Sequence, residues 1–274
     1  MTLEMVSNLD FDTGFKKMAC QETDRLNPDK IQVNLGTRKI GRALLVYEST
    51  SSTQTVSAEY AKNAANDGLV IFAERQTAGK GRGGNQWQSG RADSILCSIV
   101  LTENELPIEL LSLTCAVAVA EAIGKPARIK WPNDIMLNGR KVAGILLETK
   151  PNGACIVGIG INCHQRADSF AAELQPTATS IDIETKSVTD RTSLARRLLI
   201  SLDHCLELAT QTSEKVIEQW RSLSIQLGHR VKLVYNGRNF AGNCIGIDPE
   251  KGLILQLDTG GIRMFDAAHS TIVR

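Results

Sequence analysis

Residues 74–87 read Glu-Arg-Gln-Thr-Ala-Gly-Lys-Gly-Arg-Gly-Gly-Asn-Gln-Trp and follow directly on the apolar run Leu69-Val70-Ile71-Phe72-Ala73. Four glycines (Gly79, Gly81, Gly83, Gly84), two cations (Lys80, Arg82) and one large aromatic (Trp87) fall within nine residues. The pattern predicts a strand running into a cationic, glycine-rich loop. Glycine lets the backbone approach a ligand closely, so successive N–H groups converge on an anion while Lys80 and Arg82 neutralise it. A phosphate or acyl-phosphate ligand suits that chemistry. The spacing Gly79-x-Gly81-x-x-Gly84 formally matches the dinucleotide fingerprint, but that motif needs a helix to begin in the loop, and residues 85–91 lack an apolar helical period. Neither a P-loop sequence nor the kinase motifs are present. A flexible surface turn is the remaining alternative, and the flanking chain has to discriminate.

Upstream, Ala43 to Tyr47 reads as a strand, and Ser51-Ser52-Thr53-Gln54 leads into a helix that Gly68 stops. Spacing alone makes those hydroxyls an N-cap, although a cap and a ligand contact can coexist at a helix N-terminus. Downstream, Ser94 to Leu101 is a strand and Leu106 to Ile123 a helix, with Pro107 in its first turn and Gly124 just past its end. Residues 127–134 read Ala-Arg-Ile-Lys-Trp-Pro-Asn-Asp, where Pro132 ends a strand and leaves Lys130 and Asn133 at its cleft-facing end. Ile135 to Leu137, Asn138-Gly139 and Lys141 to Glu148 form a hairpin signal, and Ala154 to Ile161 adds a strand running into Asn162. Thr192 to Ala209 and Glu214 to Leu223 are amphipathic helices. Beyond Gly228, five short strands in under fifty residues predict a small closed barrel of SH3 type. At the other end, a modest helical pattern (Met5, Val6, Leu9, Phe15, Met18) precedes Asn27-Pro28 and a short strand, Ile31 to Leu35. The expectation is an α+β protein: an N-terminal extension over 1–42, a catalytic domain with a mixed, mainly antiparallel sheet backed by helices over 43–226, and the small barrel over 227–274.

The 274 residues carry a net charge of +1, so no global pull toward nucleic acid or a membrane surface is visible. Seven cysteines, mostly inside apolar runs and with no C-x-x-C pair, read as reduced core residues of a cytoplasmic protein. The four histidines lack metal-ligand spacing, so no metal site is expected. No signal peptide, apolar span or nucleophile elbow is evident.

The glycine loop, Lys130-Trp131-Pro132-Asn133-Asp134, Arg140-Lys141-Val142-Ala143-Gly144-Ile145-Leu146 and Gly158-Ile159-Gly160-Ile161-Asn162 occur in that order ahead of a small barrel. This set resembles the biotin protein ligases, or biotin–[acetyl-CoA-carboxylase] ligases, over about residues 43–274, in a form without the DNA-binding helices of the repressor type. The resemblance implies ATP-dependent biotinylation of one lysine on a biotin carboxyl carrier protein through biotinyl-5'-AMP. It implies ATP and Mg²⁺, a cytoplasmic monomer or homodimer, and neither nucleic acid nor membrane as partner. Lipoate or octanoate attachment shares the fold family, and a biotinyl-adenylate-binding regulator without transfer activity is the non-enzymatic alternative. Lys-Trp-Pro-Asn-Asp and the barrel favour biotin.

By the same resemblance, Ser52, Thr53 and Gln76 hydrogen-bond the biotin ureido ring, while Gly79, Lys80, Gly81 and Arg82 fold over biotin and the adenylate phosphate. Lys130 and Arg82 are the catalytic cations, Lys130 and Gly144 also lie against biotin, and Trp87, Asn133, Lys141 and Arg274 are nucleotide-side positions. The bland counterparts are a solvated strand-end lysine for Lys130, core packing for Trp87 and Trp131, and close backbone packing for Gly158 and Gly160. Asn162 has no assigned role, and the sequence names no base for the acceptor lysine. The loop departs from the family's commonest pattern: Lys80 stands where arginine is usual, and Gly83 and Asn85 replace residues that are often basic. Lysine cannot make arginine's planar bidentate contact, so a less tightly closing loop is expected.

Overall fold

The computed structural model describes residues 24–273. Its centre is a seven-stranded sheet in the order β1-β2-β5-β9-β8-β7-β6. The strands are β1 (Leu44–Tyr47), β2 (Val70–Ala73), β5 (Ser94–Leu101), β6 (Arg128–Lys130), β7 (Asp134–Leu137), β8 (Arg140–Thr149) and β9 (Cys155–Asn162). Only β1 and β2 run parallel within it, because the helix α2 (Thr53–Tyr60) and the turn after it carry the chain back over one face; the other pairs are antiparallel. A two-stranded ribbon, β3 (Gly79–Lys80) with β4 (Gln86–Trp87), projects from the end of β2 and is the glycine loop.

Alternation along the strands divides the apolar residues between two layers. Val70, Phe72, Ile95, Cys97 and Ile99 join the main core. Leu69, Ile71, Val100 and Ile156 face the smaller layer beneath α2, with Val56 and Tyr60 packed on it. All eight residues of β5 are buried, which explains its nearly continuous apolar sequence. The main layer is closed by α3 (Ile108–Ile123), α5 (Arg191–Gln211) and α6 (Ser213–Leu223), with the short helix α4 (Ile181–Thr185) preceding α5. Pro107 takes the N-cap of α3 rather than its first turn, and Gly124 at φ +90° ends it.

The Asn138-Gly139 hairpin has the expected turn, with φ of 48° and 80° at its two residues. One N-terminal expectation fails: residues 28–32 form a helical turn, α1 (Pro28–Gln32), where a strand from Ile31 was expected. Asn27 Oδ1 accepts the Lys30 N–H at 3.0 Å and Pro28 sits at the first helical position, so capping overrides the apolar run. The helical pattern from Met5 to Met18 lies outside the described residues. Leu26, Ile31 and Ile40 belong to the main core, so residues 24–42 pack on the central layer.

The C-terminal strands β10 (Arg230–Tyr235), β11 (Arg238–Asp248), β12 (Gly252–Leu257), β13 (Ile262–Phe265) and β14 (Ser270–Val273) form an antiparallel sheet in the order β13-β12-β11-β10-β14. A bulge between Cys244 and Gly246 bends β11, consistent with an SH3-like barrel. Its apolar residues Val231, Leu233 and Phe265 are continuous with the main core. Gln226 holds it to the central sheet, accepting the Trp131 N–H at 2.9 Å and donating to the Trp131 carbonyl at 3.1 Å.

Candidate active site

Two adjoining hollows open where β2, β5, β8 and β9 meet the glycine loop. The inner one is lined by Ser52, Thr53, Gln54, Gln76, Lys80, Trp87, Ser98 and Gly144, among others. Ser52 occupies the N-cap position of α2 with extended backbone, yet its side chain makes no capping bond, so the cap expected from spacing is not formed. Gln76 Oε1 instead accepts the Thr53 N–H at 2.7 Å and its hydroxyl at 3.2 Å. The Thr53 hydroxyl also meets Ser98 Oγ at 2.8 Å, and Ser98 donates to Gln54 Oε1 at 3.0 Å. Gln54 Nε2 ends the chain on the Ile156 carbonyl at 3.2 Å. The result is a buried row of hydroxyls and amides, able to read both donors and acceptors on a small polar ring.

Ser98 and Gln54 were missed in the sequence. The signal for Ser98 was a hydroxyl in the middle of an otherwise apolar strand, which when buried requires a partner. The signal for Gln54 was its place beside Thr53 in the first turn of α2.

Glycines make room on the floor. A Cβ at Gly160 would lie 2.5 Å from the Trp87 indole, and one at Gly158 2.6 Å from Gln54 Oε1. At Gly144 it would meet Trp87 at 3.0 Å and the Lys141 side chain at 3.3 Å. Close packing therefore accounts for Gly158 and Gly160. Trp87 is half-buried against the floor, and with it seated there the inner hollow measures about 30 Å³.

The outer hollow is a cleft of about 390 Å³ between the central sheet and the barrel, lined by Gly81, Arg82, Trp87, Lys130, Asn133, Asp134, Lys141, Gly144 and the turn after β13. Lys130 is half-buried at the end of β6, where Pro132 interrupts the strand. Asn133 donates to the Ile145 carbonyl at 2.8 Å and accepts from Arg82 Nη1 at 3.2 Å. Arg82 also donates to the carbonyls of Ala267 and of Ser270, the latter at 3.1 Å, and so ties the loop to the barrel. Burial lowers the Arg82 pKa from its ordinary value, against the opposing pull of Asp134 and Glu109. Burial likewise raises that of Glu109, whose carboxylate accepts the Ala267 N–H at 2.9 Å. Lys141 pairs with Asp134 at 2.5 Å, and its ammonium stands 5.7 Å from the Trp87 ring centre.

Thus Ser52, Thr53, Gln76, Lys80 and Gly144 meet in the inner hollow, and Gly81, Arg82, Trp87, Lys130, Asn133 and Lys141 in the cleft, with Trp87 and Gly144 shared. Gly79 lies behind Gln76, where a Cβ would come 3.0 Å from Gln76 Nε2. Arg82 and Lys130 line the cleft and not the inner hollow. Trp131 is buried in the core, and Asn162 is buried in bonds to Thr179 and Gln165. Arg274 lies outside the described residues.

Beneath the loop is a buried ionic network. Glu74, the first residue of the decisive stretch, accepts from Arg191 Nη2 at 2.8 Å and from the Leu26 N–H at 2.7 Å. Arg191 also donates to Asp24 Oδ2 at 2.9 Å and to the Ser94 carbonyl at 3.0 Å. His164 bridges Asp24 and Asp182 at 2.7 Å on each side. Burial disfavours its charged form, yet the bonds to Asp182 and Asp24 prevail and raise its pKa to about 9. Among the described residues, no group of three or more potential metal-binding side chains occurs, and no helix is long and apolar enough to cross a membrane.

The sequence model of the biotin/lipoate A/B protein ligase family matches residues 46–165. The bifunctional ligase/repressor BirA of Bacillus spizizenii is 32% identical over 255 residues, which cover 89% of this chain and 78% of that protein. The biotin–[acetyl-CoA-carboxylase] ligase of Mycobacterium tuberculosis is 32% identical over 257 residues, covering 88% and 94%. The solved structure of the biotin protein ligase from Aquifex aeolicus in complex with biotin and ATP matches with a TM-score of 0.75 at 27% identity, over 85% of this chain and 99% of that one.

Proposed function

The chain belongs to the biotin/lipoate A/B protein ligase family, and from that premise we propose that it joins biotin to ATP as biotinyl-5'-AMP and passes the biotinyl group to one lysine of a carboxyl carrier protein. The observation that carries the reading is the juxtaposition of the two hollows. A small chamber edged by Thr53, Gln76 and Ser98 opens, past Gly144 and Trp87, into a cleft walled by Arg82, Lys130 and Lys141. The chamber suits a ureido ring, which offers donors and an acceptor together, and the cleft suits a nucleotide.

In the first step the biotin carboxylate attacks the α-phosphorus of ATP and pyrophosphate leaves. Two anions must approach each other, and Lys130 and Arg82 are the cations suited to offset their repulsion. Removing one such preorganised donor typically raises a barrier by about 3–4 kcal/mol. Arg82 takes part by exchanging its carbonyl partners in the barrel for phosphate oxygen. Lys141 and Asn133 are placed for the nucleotide, with Trp87 beside it. The Asp134 carboxylate, whose Oδ1 pairs with Lys141, would supply a hard oxygen donor for Mg²⁺ alongside substrate phosphates. The ion, when bound, would neutralise phosphate charge. In the second step the acceptor amine attacks the mixed anhydride, Lys130 steadies charge on the acyl oxygen, and AMP departs.

The test is exchange of labelled pyrophosphate into ATP without any carrier. Exchange that requires biotin and is absent with lipoate is the expected result. Exchange driven by lipoate would mean that the chamber takes a different ring.

A further inference from the structure

The transfer step needs a proton acceptor, since the attacking lysine is an ammonium near neutral pH and nucleophilic only after losing a proton. His269 lies on the wall of the cleft that holds Arg82 and Lys130. It sits in the turn between β13 and β14, where Asp266 Oδ1 accepts both its backbone N–H at 3.0 Å and its ring Nδ1–H at 2.7 Å. The other Asp266 oxygen accepts the Tyr235 hydroxyl at 2.8 Å, and the Tyr235 ring packs edge-on against the imidazole with centroids 6.1 Å apart. Burial opposes ionisation of Asp266, but the bonds from Tyr235 and His269 hold its pKa below the ordinary carboxylate value. A carboxylate that fixes Nδ1–H leaves the lone pair on Nε2.

The turn is fixed to the catalytic side as well. Arg82 bonds the carbonyls of Ala267 and Ser270, on either side of His269, and Glu109 holds the Ala267 N–H. The backbone of the turn that carries His269 is thus tied to the glycine loop. Its side chain is 58% exposed, so an amine arriving from solvent can reach it. Asp266 and Tyr235 contact it on the barrel, with Arg263 behind the Tyr235 ring; Arg82, Lys130, Asp134 and Lys141 line the same cleft, and Glu109 holds the turn.

We propose that His269, oriented by Asp266, is the general base of the transfer step; this rests on the ligase reading above. Nε2 takes one proton from the acceptor ammonium. The neutral nitrogen attacks the carbonyl carbon of biotinyl-AMP, the C–N bond forms, and the bond from that carbon to the phosphate oxygen breaks, with AMP leaving on the electron pair. The nitrogen loses its second proton to water as the amide forms.

Single-turnover kinetics separate the steps: biotin-dependent pyrophosphate release without carrier reports adenylation, and mixing preformed adenylate complex with an apo carboxyl carrier domain reports transfer. His269→Gln is expected to lower the ratio of transfer to adenylation rates about 10²-fold near pH 7. The deficit should narrow as pH approaches the acceptor amine's own value, about 10.4. Asp266→Ala removes the acceptor that fixes the ring through Nδ1 and is expected to lower the same transfer-to-adenylation ratio. An unchanged ratio in either variant, or a deficit in His269→Gln that is independent of pH, would overturn the assignment. If the unaltered protein releases no pyrophosphate with biotin, the ligase reading itself falls and this assignment with it.

Discussion

Replacing Arg191 with methionine removes the guanidinium that neutralises Glu74 beneath the glycine loop. The guanidinium is fully buried and Glu74 is 3% exposed. Methionine fills similar space but, among the described residues, leaves the Glu74 carboxylate with the Leu26 N–H alone, while Asp24 keeps His164 and the backbone N–H of residue 191. Breaking a buried pair from one side typically costs about 3–5 kcal/mol, because a desolvated charge is left uncompensated. Against a total stability of about 5–15 kcal/mol, that is a large fraction. Urea denaturation should show this loss as a lower midpoint. Arg191→Met combined with Glu74→Gln should recover about half of it, since the amide oxygen still accepts from Leu26 and no charge remains at position 74. Because Gln76 follows Glu74 by two residues, the single variant should also bind biotin more weakly. A loss below about 1 kcal/mol, or a double variant no more stable than the single, would refute the reasoning.

Three further outcomes are expected. His164 has a folded pKa of about 9 against an ordinary 6.5, so its contribution is fully present below pH 6.5 and lost as pH rises through 9. At 1.36 kcal/mol per unit the contribution is about 3 kcal/mol, and His164→Gln should flatten the fall in stability between those pH values when denaturation is followed at each. Gly160→Ala would put a Cβ 2.5 Å from the Trp87 indole and push the ring off the floor, which tryptophan emission should report as a red shift over the unaltered signal of buried Trp131 and Trp220; an identical spectrum would contradict the packing. Lys80→Arg should slow dissociation of biotinyl-adenylate by restoring a planar fork to the loop, and an unchanged off-rate would exclude that explanation.

The central sheet and the barrel were legible because their signals are local. Apolar runs bounded by Pro132 and Asn138-Gly139 place strand ends within a residue or two of where they lie. The N-terminal turn was misread because Ile31 and Leu35 look like strand residues when taken alone, and only the cap at Asn27 shows that one helical turn carries Ile31 into the core. The predicted residues that line the two hollows stood out as motifs in the sequence, but their division between two chambers did not. Arg82 reaches carbonyls more than 180 positions away in the chain, and Ser98 meets Thr53 across a separation of 45; neither contact leaves a mark on local spacing. The Asp266–His269 pair escaped notice for the opposite reason. Its i, i+3 spacing is ordinary for a turn, and only the cleft around it gives the pair a chemical setting.

The most direct measurement is the intact mass of an apo carboxyl carrier domain after incubation with this protein, ATP, Mg²⁺ and biotin, with lipoate in a parallel reaction. The expected result is one biotinyl adduct on the carrier, none with lipoate, and loss of the adduct with Lys130→Ala. An unmodified carrier beside protein that holds biotinyl-adenylate would contradict the transfer function, and a lipoyl adduct would contradict the assignment of the chamber.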